Sequence, residues 1–257
     1  MTKPFEIQRA SLNGVSMNWD IQVVLITGAT SGYGLGMAQV LSEKGATVWI
    51  TGRNEEKLKE VSLDLKVKTI SADVTKPADW DRVFERVLAE DQKIDILINN
   101  AGAGLAIQEL CDMKDSDIEE VISVNLTGAI FGCSRAAKQM KKQKSGTIIN
   151  ISSICQKEAW PAWSVYSAAK AGLAQLSNCL YTELRPHGVK VTNLIPSWGA
   201  TDFNSNAGIG SFDQETADKA IQPKEIGELV AQVCELPVHL VLQELTLLPL
   251  VQAIEPL

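Results

Sequence analysis

The chain has 257 residues, 45% hydrophobic and 21% charged, enough apolar material for one large domain with a substantial core. Its formal net charge is -7 and its pI about 5.0, and the basic residues are scattered, so the sequence carries no electrostatic footprint for nucleic acid. Five cysteines without a Cys-x-x-Cys pair, and two histidines far apart at His187 and His239, argue against a secreted disulfide framework and against a catalytic or structural metal.

The opening segment, Met1 to Asp20, lacks the apolar stretch of a signal peptide, and no run is long enough to span a bilayer. A cytoplasmic protein without membrane contact is expected. The leader itself is expected to be disordered or to pack on the domain or a partner subunit. The first strand, Ile21 to Ile26, runs into Thr27-Gly28-Ala29-Thr30-Ser31-Gly32-Tyr33-Gly34 and then a helix over Gly34 to Lys44. Glycines between a strand and a helix N-terminus let backbone N–H groups approach a pyrophosphate, and the helix dipole favours the anion. The spacing is Gly-x-x-x-Gly-x-Gly, and its context reads as a dinucleotide site.

A second strand, Ala46 to Thr51, ends at Gly52-Arg53-Asn54 and is followed by a helix over Glu55 to Leu65. NAD-selective proteins commonly offer a carboxylate to the adenosine ribose here. Arg53 in that place suits a 2′-phosphate, so NADP(H) is expected over NAD(H), with a surface-stacked Arg53 as the plain alternative. Further strands are expected over Val67 to Ser71, Ile94 to Ile98, Gly146 to Ile151 and Val189 to Ile195, with a helix over Trp80 to Glu90. Continuous apolar strands alternating with helical periods predict a doubly wound α/β domain whose sheet is covered on both faces.

Ser116-Asp117-Ile118-Glu119 reads as a capping box, and Lys138, Lys141, Lys142 and Lys144 suit the end of the helix before Gly146. Asn125 interrupts this apolar helical stretch and must find partners if buried. After the strand at Gly146 to Ile151, Ser152 and Ser153 stand at the edge where α/β sites are built, and alternation lets one of the two face the site. Tyr166 and Lys170 are four residues apart on a helix, which stacks a phenol and an ammonium on one face and favours phenolate. The segment from Ser197 to Gln222, rich in glycine and asparagine, reads as a mobile lid over about 197–222. An apolar strand over Leu242 to Val251 closes the chain, interrupted by Pro249.

Together these motifs resemble the short-chain dehydrogenase/reductase family from Ile21 to about Leu250: the glycine turn, Asp73-Val74, Asn99-Asn100-Ala101-Gly102, Asn125, Ser153, Tyr166, Lys170, and Pro196 with Thr201. The resemblance implies a single-domain Rossmann fold over 21–257 with a mostly parallel seven-stranded sheet. It implies a catalytic tetrad of Asn125, Ser153, Tyr166 and Lys170, in which Asn125 holds a water that links Lys170 to solvent. By similarity, Gly28, Thr30, Ser31, Gly32, Tyr33, Gly34, Arg53, Asn54, Asp73, Val74, Asn100, Ala101 and Gly102 hold the cofactor, with Tyr166, Lys170, Pro196, Gly199 and Thr201. The reaction implied is hydride transfer between NADP(H) and a carbonyl or alcohol.

Two departures stand out: Pro196-Ser197-Trp198-Gly199 replaces the usual Pro-Gly, and the C-terminal Asp-Gly-Gly is absent. The closing segment is locally similar to the 3-hydroxy acid and serine dehydrogenase branch. The substrate stays open among a small hydroxy acid, a 3-oxoacyl thioester and a cyclic or steroid-like alcohol. Cys155, Trp160, Trp163 and Trp198 are candidates to line its pocket, or else plain packing residues, and Arg185 is a candidate clamp for a carboxylate. A nucleotide-sensing regulator without chemistry is the competing class, and the intact tetrad speaks against it. Helices over Ile118 to Lys142 and Trp163 to Leu184, with the closing strand, are expected to pair copies into a homotetramer or homodimer.

Overall fold

The computed structural model describes residues 17–104, 107–208 and 210–252. The leader expected at 1–20 therefore lies mostly outside the described residues. Its last part packs on the domain: Trp19 is buried, and its indole Nε1 donates to Glu235 Oε1 at 2.8 Å. Ile21 stays exposed, so the first strand begins two residues later than expected.

Seven strands, β1 (Val23–Thr27), β2 (Thr47–Gly52), β3 (Lys68–Ser71), β4 (Ile96–Asn99), β5 (Gly146–Ile151), β6 (Val189–Pro196) and β7 (Glu244–Leu247), form one sheet in the order β3-β2-β1-β4-β5-β6-β7. Every pairing is parallel. Parallel neighbours require crossover helices, and these cover both faces. Side-chain alternation divides the core accordingly: Val24 and Ile26 join one cluster, and Val23 and Leu25 the other. The first cluster takes side chains from α1 (Gly32–Glu43), α2 (Glu55–Leu65) and α9 (Pro223–Cys234); the second takes them from α3 (Pro77–Asp91), α5 (Gly128–Gln143) and α6 (Ser164–Leu184).

α2 and β5 occupy the expected residues, whereas α3 starts three residues early because Pro77 serves as a first helical residue. The expected single helix over Ile118 to Lys142 comprises α4 (Asp115–Ile122), a π-helical turn over Ser123–Thr127, and α5. The capping box at Ser116 is not formed. Lys114 is the N-cap, the helix already includes Ser116, and no side chain caps it. A capping box forms instead at the start of α9, where Gln222 N donates to Glu225 Oε2 at 2.8 Å. α9 crosses α1 closely: a Cβ on Gly36 would overlap the Pro223 carbonyl, and one on Gly227 would lie 2.7 Å from Gly36 O.

The segment after β6 is more ordered than the glycine and asparagine content suggests. It contains α7 (Phe203–Asn206) and α8 (Gln214–Lys219) and is closed at its base by a bridge between Gly199 and Ile221. The final strand is shorter than expected: β7 ends at Leu247, two residues before Pro249.

Candidate active site

The strand order reverses beside β1, and chain segments leaving the C-terminal ends of β1 to β6 converge there on one cleft of about 660 Å³. This is where open parallel sheets bind ligands. One half is built from backbone. Thr27 Oγ1, at the end of β1, accepts from both Asn100 N and Ala101 N at 3.0 Å. The Asn100 amide in turn donates to the carbonyls of Thr27 and Gly28 at 2.9 Å. The two loops are thereby locked together, leaving no space for side chains: a Cβ on Gly28 (φ +63) would lie 2.8 Å from Ala101 Cα, and one on Gly34 would lie 2.5 Å from Asn100 Nδ2.

Thr30, Ser31, Gly32 and Tyr33 line the cleft in front of the α1 N-terminus. Ser31 is the N-cap residue but spends no side-chain hydrogen bond on the helix. Tyr33 turns its ring toward the loop after β6, donating to Ser197 O at 3.2 Å, and a Cβ on Gly199 would overlap that ring. Gly199 thus has a packing reason beside the departure at Ser197. Thr201 reaches over the turn from the same loop, within 3.3 Å of a Cβ built on Gly32.

Arg53 lies exposed at the cleft, at the end of β2, and makes no ion pair among the described residues. Asn54, expected beside it, is not part of the lining; its Oδ1 caps α2, accepting from Lys57 N at 3.0 Å. Asp73 and Val74 line the cleft after β3, and Asp73 Oδ1 is held by Thr75 N at 2.9 Å. Two buried hydroxyls of lining residues, those of Thr51 and Ser197, have no partner among the described residues.

The other half is built from side chains. Ser152 is turned inward, its Oγ 2.6 Å from Gln156 Oε1 and 3.2 Å from Lys170 O, to either of which its one proton is given. This leaves Ser153 as the serine beside Tyr166. Its Oγ accepts from Cys155 N at 3.2 Å, while its contact to the phenol favours the ionised form of Tyr166. Lys170 is 4% exposed, 5.6 Å from the Tyr166 ring centroid, and donates to Ile151 O at 3.0 Å. Asn125 occupies the π turn, where the carbonyl of Val121 accepts from its Nδ2 at 3.0 Å. The same amide brackets Ala103, accepting from its N at 3.1 Å and donating to its O at 2.9 Å. A Cβ on Gly102 would stand 2.9 Å from Asn125 Oδ1 and 3.3 Å from Lys170 Nζ, so these two tetrad positions meet the β4 loop at one place. π turns are frequent at functional sites for this reason: the extra residue re-aims one side chain.

The electrostatics differ from the simple pair expected on one helix face. Burial is the largest influence on both partners. It pushes the Tyr166 phenol above its ordinary range and pulls the Lys170 ammonium from 10.5 down to about 8. In place of the expected lowering the phenol is raised, because desolvation outweighs the hydrogen bond from Ser153.

Cys155, Trp160, Trp163 and Trp198 all line the cleft. Phe203, not anticipated, completes the wall. Its ring stacks on Trp163 at 6.4 Å and tilts against Tyr166 at 5.6 Å, while Trp163 meets Tyr166 edge-on at 5.5 Å. An aromatic residue two positions after Thr201 was the sequence signal available. Arg185 is not in the site; it lies beyond the far end of α6, over the Tyr181 ring.

A model of the short chain dehydrogenase family matches residues 22–210, and the chain belongs to that family. It is 33% identical over 231 residues to an uncharacterised oxidoreductase of Staphylococcus aureus (strain MRSA252), covering 89% of this chain and 97% of that protein. Among solved structures it is similar to the closed form of a serine dehydrogenase complexed with NADP+, with a TM-score of 0.84 and 31% identity over 92% of this chain and 98% of that one. It is also similar to a 3-ketoacyl-(acyl-carrier-protein) reductase of Brucella melitensis complexed with NADH, with a TM-score of 0.81 and 26% identity over 89% and 97% of the two chains. The protein is thus an oxidoreductase that acts on CH–OH donors with a nicotinamide cofactor. The cleft fits such a cofactor, since the glycine cradle admits no Cβ and the buried Thr51 and Ser197 hydroxyls at its wall are without a partner among the described residues. No helix among the described residues is long and apolar enough to cross a membrane.

Proposed function

We propose that this protein interconverts a secondary alcohol and a ketone using NADP(H), with Tyr166 as the proton donor and acceptor. The observation that carries the reading is that Ser153, Tyr166 and Lys170 line one cleft beside a glycine cradle, with Asn125 buried against Gly102 and Ala103 of the β4 loop. The cradle from Gly28 to Gly34 would hold the pyrophosphate, Asp73 and Val74 the adenine, and Lys170 the nicotinamide ribose. When bound, the reduced cofactor supplies hydride to the carbonyl carbon. Ser153 donates a hydrogen bond to the substrate oxygen and holds it in place. Tyr166 gives its proton to the same oxygen, and the Lys170 ammonium stabilises the phenolate left behind. Asn125 fixes the β4 loop beside Lys170 and holds the water through which the proton is replaced.

The preference for NADP(H) rests on Arg53, a cation at the end of β2 without an ion-pair partner among the described residues. The neighbour solved with NADP+ supports it. The segment over 197–222 acts as a lid that brings Phe203 against Tyr166. Exposed apolar side chains gather near β7, among them Val238, Leu240, Leu242 and Leu250, and support assembly into a homodimer or homotetramer. Five unpaired cysteines suit the cytoplasm.

The test is NADPH oxidation against 3-oxo acids, 3-oxoacyl thioesters, diketones and cyclic ketones, with Tyr166→Phe alongside. The variant is expected to bind NADPH normally and to lose turnover by ~10² to 10⁴-fold or more. Near-normal turnover in the variant would refute the assignment, and tight NADPH binding without turnover of any compound in the wild type would favour a sensor.

A further inference from the structure

The walls beside Tyr166 discriminate among the substrates that the sequence leaves open. Building on the oxidoreductase reading, we infer that the group flanking the reacting carbonyl is uncharged and apolar, preferably aromatic, and that substrates with a carboxylate near it are rejected.

The reacting end is enclosed by rings. Trp163 and Phe203 are stacked with an interplanar angle of 16°, and both contact the Tyr166 ring. Trp160 and Cys155 extend the same wall, packed in one apolar cluster. A flat apolar group lying against this ring cluster gains edge and face contacts in addition to area burial.

Charge is distributed against an anion. Among the described residues lining the cleft, the basic side chains are Arg53 and Lys170. Arg53 stands at the end of β2, two strands away from β4 in the sheet. Lys170 is buried beside Tyr166, donates to the Ile151 carbonyl, and in the proposed reaction serves the nicotinamide ribose and the phenolate. Arg185, the clamp considered from the sequence, follows the last residue of a 21-residue helix whose third residue is Tyr166, which puts it roughly 28 Å away along the axis. The lining residue next to Phe203 in sequence is acidic: Asp202, which is exposed. Outside the described residues, Leu105, Ala106, Ile209 and 253–257 contribute no basic side chain by sequence, and 1–16 carry Lys3 and Arg9. A substrate carboxylate would therefore give up its hydration against aromatic rings, without a dedicated counter-ion among the described residues.

The inference separates this chain from the structural neighbour named serine dehydrogenase, whose substrate by name is an amino acid. Acyl chains whose carbonyl is flanked by a neutral thioester or ester remain compatible with it.

The test uses a pair differing only in charge near the ketone, 4-oxo-4-phenylbutanoate and its methyl ester. NADPH oxidation by the wild-type protein gives kcat/KM, and calorimetric titration in the presence of NADP+ gives Kd. The ester is expected to be favoured by at least ~30-fold in both. Equal or better use of the acid would overturn the inference and leave the reductase reading standing. Ester-selective binding without turnover would uphold the inference and count against the proton-transfer reading, and absence of binding by either would overturn it. Phe203→Arg is expected to move the ratio toward the acid by at least ~10-fold by supplying a counter-ion. Asp202→Lys, at an exposed position, makes the same test where the first variant does not fold, and an unchanged ratio in it would contradict the inference.

Discussion

Replacing Lys170 by methionine should stabilise the cofactor-free protein while abolishing turnover. The fall of the ammonium from 10.5 to about 8 corresponds to a burial penalty of ~3 kcal/mol when the group is charged. Methionine keeps the unbranched apolar stem, one atom shorter, and removes the charge, but it leaves the Ile151 carbonyl without its 3.0 Å donor, a loss of ~1 kcal/mol. The net gain at pH 7 is ~2 kcal/mol, or an increase in Tm of ~4 to 8 °C for a domain of this size. The sign with pH follows from linkage. Between about 8 and 10.5 the unfolded chain binds the proton that the folded wild type releases, so wild-type stability rises with pH across that window. Below about 8 the penalty is complete. At pH 9.5 it has shrunk to ~1 kcal/mol, and the variant's advantage should vanish. Urea unfolding of both proteins at pH 7 and pH 9.5 measures the difference. A variant less stable than wild type at pH 7, or an advantage that does not shrink at the higher pH, would refute the reasoning.

Arg53→Glu should weaken NADPH by ~10 to 150-fold, the loss of one charge-assisted contact, while leaving NADH binding unchanged or improved; titration of both cofactors checks it. Gly36→Ala should lower Tm by ~3 to 10 °C in thermal unfolding, because a Cβ there overlaps the Pro223 carbonyl and the resulting overpacking exceeds the gain in helix propensity. A rise in Tm would show that α9 yields without cost.

The strands were legible because both faces of a parallel sheet are covered, so apolar runs such as Gly146–Ile151 are continuous and stop where the sheet stops. The glycine turn was legible because its backbone function demands missing side chains. α9 was not read as a helix, although Gln222, Pro223 and Glu225 spell its start, because they directly follow the irregular segment after β6. Ser116 misled for the opposite reason. Its spacing to Glu119 suits a cap, but the backbone had already turned helical at Asp115. Spacing placed Tyr166 and Lys170 on one helix face, yet their proton affinities depend on burial, which comes from β5, the β4 loop and Phe203. That burial is a tertiary quantity, and four-residue periodicity carries no information about it.

The π turn at Asn125 sets a length constraint that the surface loops escape. Each residue advances an α-helix by about 100°. Deleting one residue between Ser123 and Thr127 would let the helix run from α4 to α5 in regular register, and the amide that brackets Ala103 would swing to another side. The family of sequences that can do this chemistry on this scaffold should therefore accept many substitutions across α4 and α5, while insertions and deletions there are counted out one residue at a time.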